Sequence, residues 1–123
     1  MLSTPKISAR FRKNEKLRTS REFKRVYDKG RRYNGPLFTL FVLKNNETLS
    51  RFGVTVTKKI GNAVERNRCK RVLREIFRQN KPQLIQPCDL VFNVKKAMLQ
   101  TPFQQIVEEY LRLLNFLPKS QAS

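Results

Sequence analysis

The residues best placed to do chemistry lie between Lys58 and Arg78, in the stretch KKIGNAVERNRCKRVLREIFR. Eight Lys/Arg side chains fall within these 21 residues, against only Glu65 and Glu75. Such a set neutralises phosphates. Acid/base work has no comparable set. The chain has no histidine, which excludes Ser-His-Asp and Cys-His arrangements and His-containing zinc sites. Cys69 and Cys88 are too few for a four-cysteine site, and with no CxxC between them they read as buried free thiols of a reducing compartment. None of the nine carboxylates forms a spaced pair suited to two-metal phosphodiester cleavage. Gly61 lacks the partner glycine and terminal Lys-Ser/Thr of a phosphate-binding loop. No catalytic residue, no protein-held metal and no small-molecule substrate are therefore expected.

The basic residues need an element to present them. A turn at Gly61 leads into a helix starting at Asn62, where Asn62 and Glu65 have capping-box spacing. At 100° per residue, Cys69, Val72, Leu73, Ile76 and Phe77 fall on one face, which reads as core. Asn67, Lys70, Arg71, Arg74 and Arg78 fall on the other, flanked by Arg66 and Arg68. The arrangement is costly. Arg66 and Arg68 sit at the positive end of the helix dipole. Lys70, Arg74 and Arg78 repeat like charge every fourth residue, at roughly 0.2–0.5 kcal/mol per pair. A polyanion lying on this face would supply the missing counter-charge.

The whole chain shares the bias. Its 123 residues carry a net charge of +18, and residues up to Lys81 hold 23 of the 27 basic side chains. Nucleic acid is the partner such a balance favours. The length suits one domain spanning residues 1–123. No apolar run of about 18 residues predicts a membrane span, and the first residues have no apolar signal-peptide segment.

In chain order, residues 1–11 and the basic positions up to Arg18 read as a loose charged arm. Thr19 and Glu22 start a helix from Ser20 to Lys29, stopped by Gly30, with Phe23, Val26 and Tyr27 on one face. Those rings are either core or left open to stack on bases. Arg31–Asn34 suggests a short strand, followed by strands over Leu37–Leu43 and Arg51–Thr57 that Asn45-Asn46 would turn into an antiparallel unit. The basic helix runs to about Asn80, with Pro82 beyond its end, and Asp89–Val94 forms the last strand. Thr101, Pro102 and Gln104 predict a capped final helix with an apolar stripe from Phe103 to Leu117 and Glu108-Glu109 on its polar side. Pro118 ends it, and the last residues are a polar tail expected to be flexible. The class is α+β: a small sheet with helices over one face and the other partly open, a usual place for single-stranded nucleic acid.

The segment KKIGNAVERNRCKRVLRE closely resembles the signature of the bacterial ribonuclease P protein subunit. The match rests on Lys58, Lys59, Gly61, Ala63, Val64, Arg66, Asn67, Arg68, Lys70, Arg71, Arg74 and Glu75, without a gap. It extends upstream through LRTSREFKRVYDKG and LFTLFVL and downstream through DLVFNV, from about Arg12 to Leu117. The resemblance implies an αβββαβα two-layer sandwich with a left-handed crossover between two parallel strands. It implies a cytoplasmic protein that is not the catalyst but the partner of a large Mg²⁺-dependent catalytic RNA, which removes the 5′ leader from precursor tRNA.

Two RNA contacts follow from the same resemblance. Lys58, Lys59, Arg66, Asn67, Arg68, Lys70, Arg71 and Arg74 would meet the catalytic RNA. Phe23, Tyr27 and Phe41 would hold the single-stranded leader in a cleft, with Lys59, Arg66, Asn67, Lys70 and Arg74 along its shared edge. Alternation within so apolar a strand leaves open which way Phe41 points. Asn67 is either a reader of base or sugar or a helix-surface amide. A ribosomal or general RNA-chaperone protein fits the composition equally well, and only the motif separates the two. A membrane-active basic protein does not fit, because the apolar stripes are needed for the core.

Overall fold

The computed structural model describes residues 15–46, 49–80 and 87–115. Arg10, Arg12 and Lys13 of the basic arm, Pro82, Leu117, Pro118 and the tail lie outside the described residues.

Helix α1 spans Ser20–Lys29 and its capping box forms in full: Glu22 N–H donates to Thr19 Oγ1, and Thr19 N–H donates to Glu22 Oε1. The Arg18 and Thr19 amides, with Arg51 nearby, hold the Glu22 carboxyl below its usual range. Strands β1 (Arg31–Asn34), β2 (Phe38–Lys44) and β3 (Arg51–Thr55) follow. Helix α2 (Ala63–Gln79) is capped by Asn62 and Glu65 as the spacing predicts. Strand β4 (Cys88–Val94), a 3-10 helix (Lys96–Gln100) and helix α3 (Phe103–Leu114) complete the described elements.

The sheet order is β1-β2-β4-β3, antiparallel except for the parallel pair β3/β4. The antiparallel unit expected from Leu37–Leu43 and Arg51–Thr57 is therefore not formed. β4 sits between its two strands because it is the more apolar: six of its seven residues are buried, while β3 carries half-buried Arg51 and Thr55 and takes the edge. Asn45 makes no hairpin with β3. Its N–H donates to Pro87 O, and its amide donates to Asp89 Oδ1, both on the β4 side. The parallel pair needs a crossover, and α2 provides it.

Alternation then divides the sheet. Phe38, Leu40, Phe52, Leu90 and Phe92 face α2 and α3 and form the main core with Leu73, Ile76, Phe77 and Tyr110. Phe52 stacks on Phe77 with ring centroids 4.8 Å apart. Val91 faces the other way, with Val26, Phe23 and Tyr27 of α1 and with Phe41. Helix α1 thus occupies part of the face that the sequence reading leaves open.

Two expectations for the C-terminal part are corrected. Thr101 does not cap α3; its hydroxyl donates to Ala97 O of the 3-10 helix at 2.7 Å, and Pro102 holds the N-cap position without a side-chain bond. The short helix ahead of α3 takes the hydroxyl that the motif assigned forward. Glu109 is not on the polar side but buried, paired with Arg112, its carboxylate lying where a Cβ on Gly35 would stand. Gly35 leaves the space that lets it turn inward.

An ion-pair network locks α1 to the sheet. Asp89 is 1% exposed and accepts from Arg51 Nε at 2.9 Å and Arg51 Nη2 at 2.8 Å. Arg51 Nη1 also donates to Glu22 Oε2 at 3.3 Å, so one guanidinium joins β4 to the first turn of α1. Cys69 and Cys88 are buried free thiols, and burial raises both above the usual range.

Candidate nucleic-acid interface

The basic surface starts where β3 ends. Ile60 N–H donates to Thr57 O and closes a turn that exposes Lys58 and Lys59. Arg66 is half-buried and its Nη1 donates to Gly61 O at 2.8 Å, so it braces the loop entering α2 as well as carrying charge. Asn67, Arg68, Lys70 and Arg71 are exposed, and Arg74 is half-buried. Among the described residues, Lys58, Lys59, Arg68, Lys70 and Arg71 form no hydrogen bond or ion pair within the protein. Arg78 differs: it pairs with Glu75, which also accepts from Gln79 at 2.6 Å. The Arg78 bond holds the Glu75 carboxyl below its usual range. The unpaired charge is therefore concentrated in the first half of the helix and the loop before it. Val64, 75% exposed, adds an apolar spot there.

The aromatic residues gather on the other face of the sheet. Phe23, Tyr27 and Phe41 are all half-buried around the Leu17, Val26 and Val91 cluster. Phe41 points toward α1, which the register Arg32↔Phe41↔Val91 determines. Its ring meets Tyr27 edge-on, centroids 4.9 Å apart. The Tyr27 hydroxyl bonds Thr55 Oγ1 and Asn93 Oδ1, each at 2.7 Å. Phe23 lies over Gly53, and a Cβ there would come within 2.7 Å of its Cε2.

The eight basic and amide positions and the three rings thus occupy opposite faces, α2 on one and α1 on the other. They approach each other around the C-terminal end of β3, where Thr55 leads within three residues to Lys58. Thr55, Asn93 and Gly53 are absent from the sequence reading. Alternation along β3 and β4 would have found them once Val91 was placed on the α1 face. Among the described residues no three His, Cys, Asp or Glu side chains form a group that could hold a metal ion, and no helix is long and apolar enough to cross a membrane.

Residues 11–117 match the family Ribonuclease P. The chain belongs to the ribonuclease P protein family. It is 38% identical over 105 residues to the ribonuclease P protein component of Clostridium novyi (strain NT), covering 84% of this chain and 93% of that protein. It is also 38% identical over 109 residues to that of Syntrophus aciditrophicus (strain SB), covering 89% and 92%. Among solved structures, the RNase P protein from Thermotoga maritima superposes with a TM-score of 0.77 at 32% identity, over 85% of this chain and 98% of that one. The mixed four-stranded sheet with three α-helices among the described residues is thus a ribonuclease P protein fold. Membership makes the chain an RNA-binding subunit of ribonuclease P, a bacterial tRNA-processing enzyme, with the ribonuclease P RNA as partner. The general RNA-chaperone alternative is not favoured.

Gly53 gives a direct check on this site. Gly53→Ala is expected to displace the Phe23 ring and cost about 1–3 kcal/mol by overpacking. Urea unfolding measures that cost. A change under about 0.5 kcal/mol would show that the ring has room to move.

Proposed function

We propose that this subunit serves a catalytic RNA, in the cytoplasm, in removing the 5′ leader from precursor tRNA. The RNA and its Mg²⁺ carry the phosphodiester chemistry. The protein acts through two surfaces. Lys58, Lys59, Arg66, Asn67, Arg68, Lys70, Arg71 and Arg74 lie against the catalytic RNA, neutralise crowded phosphates and lower the Mg²⁺ concentration needed. Phe23, Tyr27 and Phe41 hold the single-stranded leader, with Lys59, Arg66, Asn67, Lys70 and Arg74 along the shared edge.

The observation that carries this reading is the separation of roles in the fold. The loop and first half of α2 hold cations without protein partners, while half-buried rings collect on the opposite face of the sheet. Cations without partners are suited to phosphates, and accessible rings are suited to bases, each stack contributing roughly 1–3 kcal/mol.

The test is cleavage of precursor tRNA by a bacterial ribonuclease P RNA at low Mg²⁺, with and without the protein. Wild type is expected to stimulate strongly. Arg66→Ala/Arg68→Ala is expected to lose holoenzyme assembly. Phe23→Ala/Tyr27→Ala is expected to assemble but to lose at least about tenfold of the advantage that long leaders have over short ones. Equal losses for long and short leaders in the aromatic pair would remove the cleft from the proposal.

A further inference from the structure

Among the described residues, two large apolar side chains are exposed: Val64, 75%, and Phe103, 43%. They belong to different helices, and both border one groove. It runs between the start of α2, the 3-10 helix and the start of α3. Buried Cys69, Met98 and Ile106, half-buried Val72 and Leu99, and Phe103 line it. Its empty space of ≈ 440 Å³ includes its mouth, which is open to solvent, so it suits a flat group laid in it. Val64 precedes Glu65 and lies one turn before Arg68, and both of those residues line the groove. The groove is on the α2 and α3 side of the sheet, away from the rings beside α1.

Its polar groups are few, and their bonds leave one charge unmatched. Thr101 lines the groove, but its hydroxyl donates to Ala97 O. Glu65 Oε1 is turned back to accept from Asn62 N–H at 2.9 Å. At the spacing of Glu65 and Arg68, Arg78 pairs with Glu75 and Arg112 pairs with Glu109. Arg68 has no hydrogen bond or ion pair among the described residues, and neither have Lys70 and Arg71 beside it. The groove is thus apolar within and cationic at its mouth. A nucleotide has the matching halves, an apolar base face and an anionic phosphate. A wholly apolar segment would fill the groove and leave these cations unmatched.

We propose that the groove takes one unstacked nucleobase of the ribonuclease P RNA, held between Val64 and Phe103, with its phosphate on Arg68. The proposal rests on the reading that the basic face of α2 lies against that RNA. It extends the contact to the 3-10 helix and α3, to which that reading gives no part. Bases splayed out of a folded RNA are held by stacking on aromatic side chains, and Phe103 supplies the ring. The two exposed apolar residues are then covered in the assembled enzyme. Contact through apolar surface adds affinity that salt does not screen.

The experiment uses the holoenzyme reconstituted with a bacterial ribonuclease P RNA. Phe103→p-benzoylphenylalanine places a photoreactive ring at the groove and is expected to cross-link to one nucleotide of that RNA. An abasic residue at that nucleotide leaves the protein intact and is expected to weaken assembly about tenfold. Val64→Ser/Phe103→Ser is expected to weaken it by the same factor, with the slope of log affinity against log salt unchanged. The RNA and protein changes together are expected to lose little more than either alone, because both remove one contact. A variant that merely folds less well would multiply its loss with the abasic one. Losses that multiply, or an abasic residue without effect, would overturn the proposal and leave α2 on the RNA. So would the lack of a cross-link to the RNA, cross-links scattered along it, or cross-links to precursor tRNA or to a second protein copy. Wild type that fails to bind the ribonuclease P RNA would overturn the reading of α2 as well.

Discussion

Replacing Arg51 with methionine is expected to destabilise the fold by about 3–5 kcal/mol, the cost of leaving a buried carboxylate without its partner. Asp89 is 1% exposed, and both its oxygens are held by the Arg51 guanidinium. Once that group is gone, Asn45 remains as a neutral donor at 2.7 Å, and Arg25 lies 3.8 Å away with its side chain 46% exposed. Neither replaces a two-pronged bond. The loss also reaches α1, because Arg51 is the tie between Glu22 and the sheet. Thermal unfolding is the measurement, and a fall of more than about 10 °C is expected for a domain of this size. Arg51→Met/Asp89→Leu is expected to recover much of the loss, since a buried ion pair replaced whole by apolar groups is often no less stable. A single-variant cost near 1 kcal/mol would mean that Arg25 moves in and takes over.

The opposite pattern is expected on α2. Arg68→Gln/Lys70→Gln/Arg71→Gln is expected to weaken binding to the ribonuclease P RNA on the order of 100-fold at moderate salt. It should also reduce the slope of log affinity against log salt by about 2–3, with one counterion released per phosphate neutralised. Folding should be nearly unaffected, within about 0.5 kcal/mol. The reason is structural: these three side chains make no ion pair or hydrogen bond among the described residues, and the substitution removes the Lys70–Arg74 repulsion. Filter binding across a salt series measures the first effect, and urea unfolding the second. A lost affinity with an unchanged salt slope would show that these residues act by shape and not by charge.

Much of this was legible in the chain because it is local. Thr19 with Glu22, and Asn62 with Glu65, are three residues apart, and both boxes form. Leu73, Ile76 and Phe77 repeat at helical spacing and are fully buried. What sequence could not supply is adjacency. Alternation says that a strand is buried, not which strand lies beside it, so the insertion of β4 between β2 and β3 was invisible. The direction of Phe41 was hidden for the same reason, since both faces of β2 are apolar. Glu109 was misplaced because helical periodicity cannot know that Gly35 leaves it a space. The functional rings were named from resemblance, while the hydrogen bonds that join Tyr27 to Thr55 and Asn93 span 28 and 66 residues and need the folded sheet.

The order β1-β2-β4-β3 also governs when the protein can exist during its own synthesis. One of its two inner strands, Cys88–Val94, is the last of the four to leave the ribosome. Until then β1 and β2 have only each other, a two-stranded ribbon of little stability, and β3 has no strand beside it. The basic helix is translated in that interval, before the sheet that will carry it. A nascent chain stalled short of residue 94 therefore displays its phosphate-binding charges on an unfinished scaffold, and ribosomal RNA is the nearest polyanion.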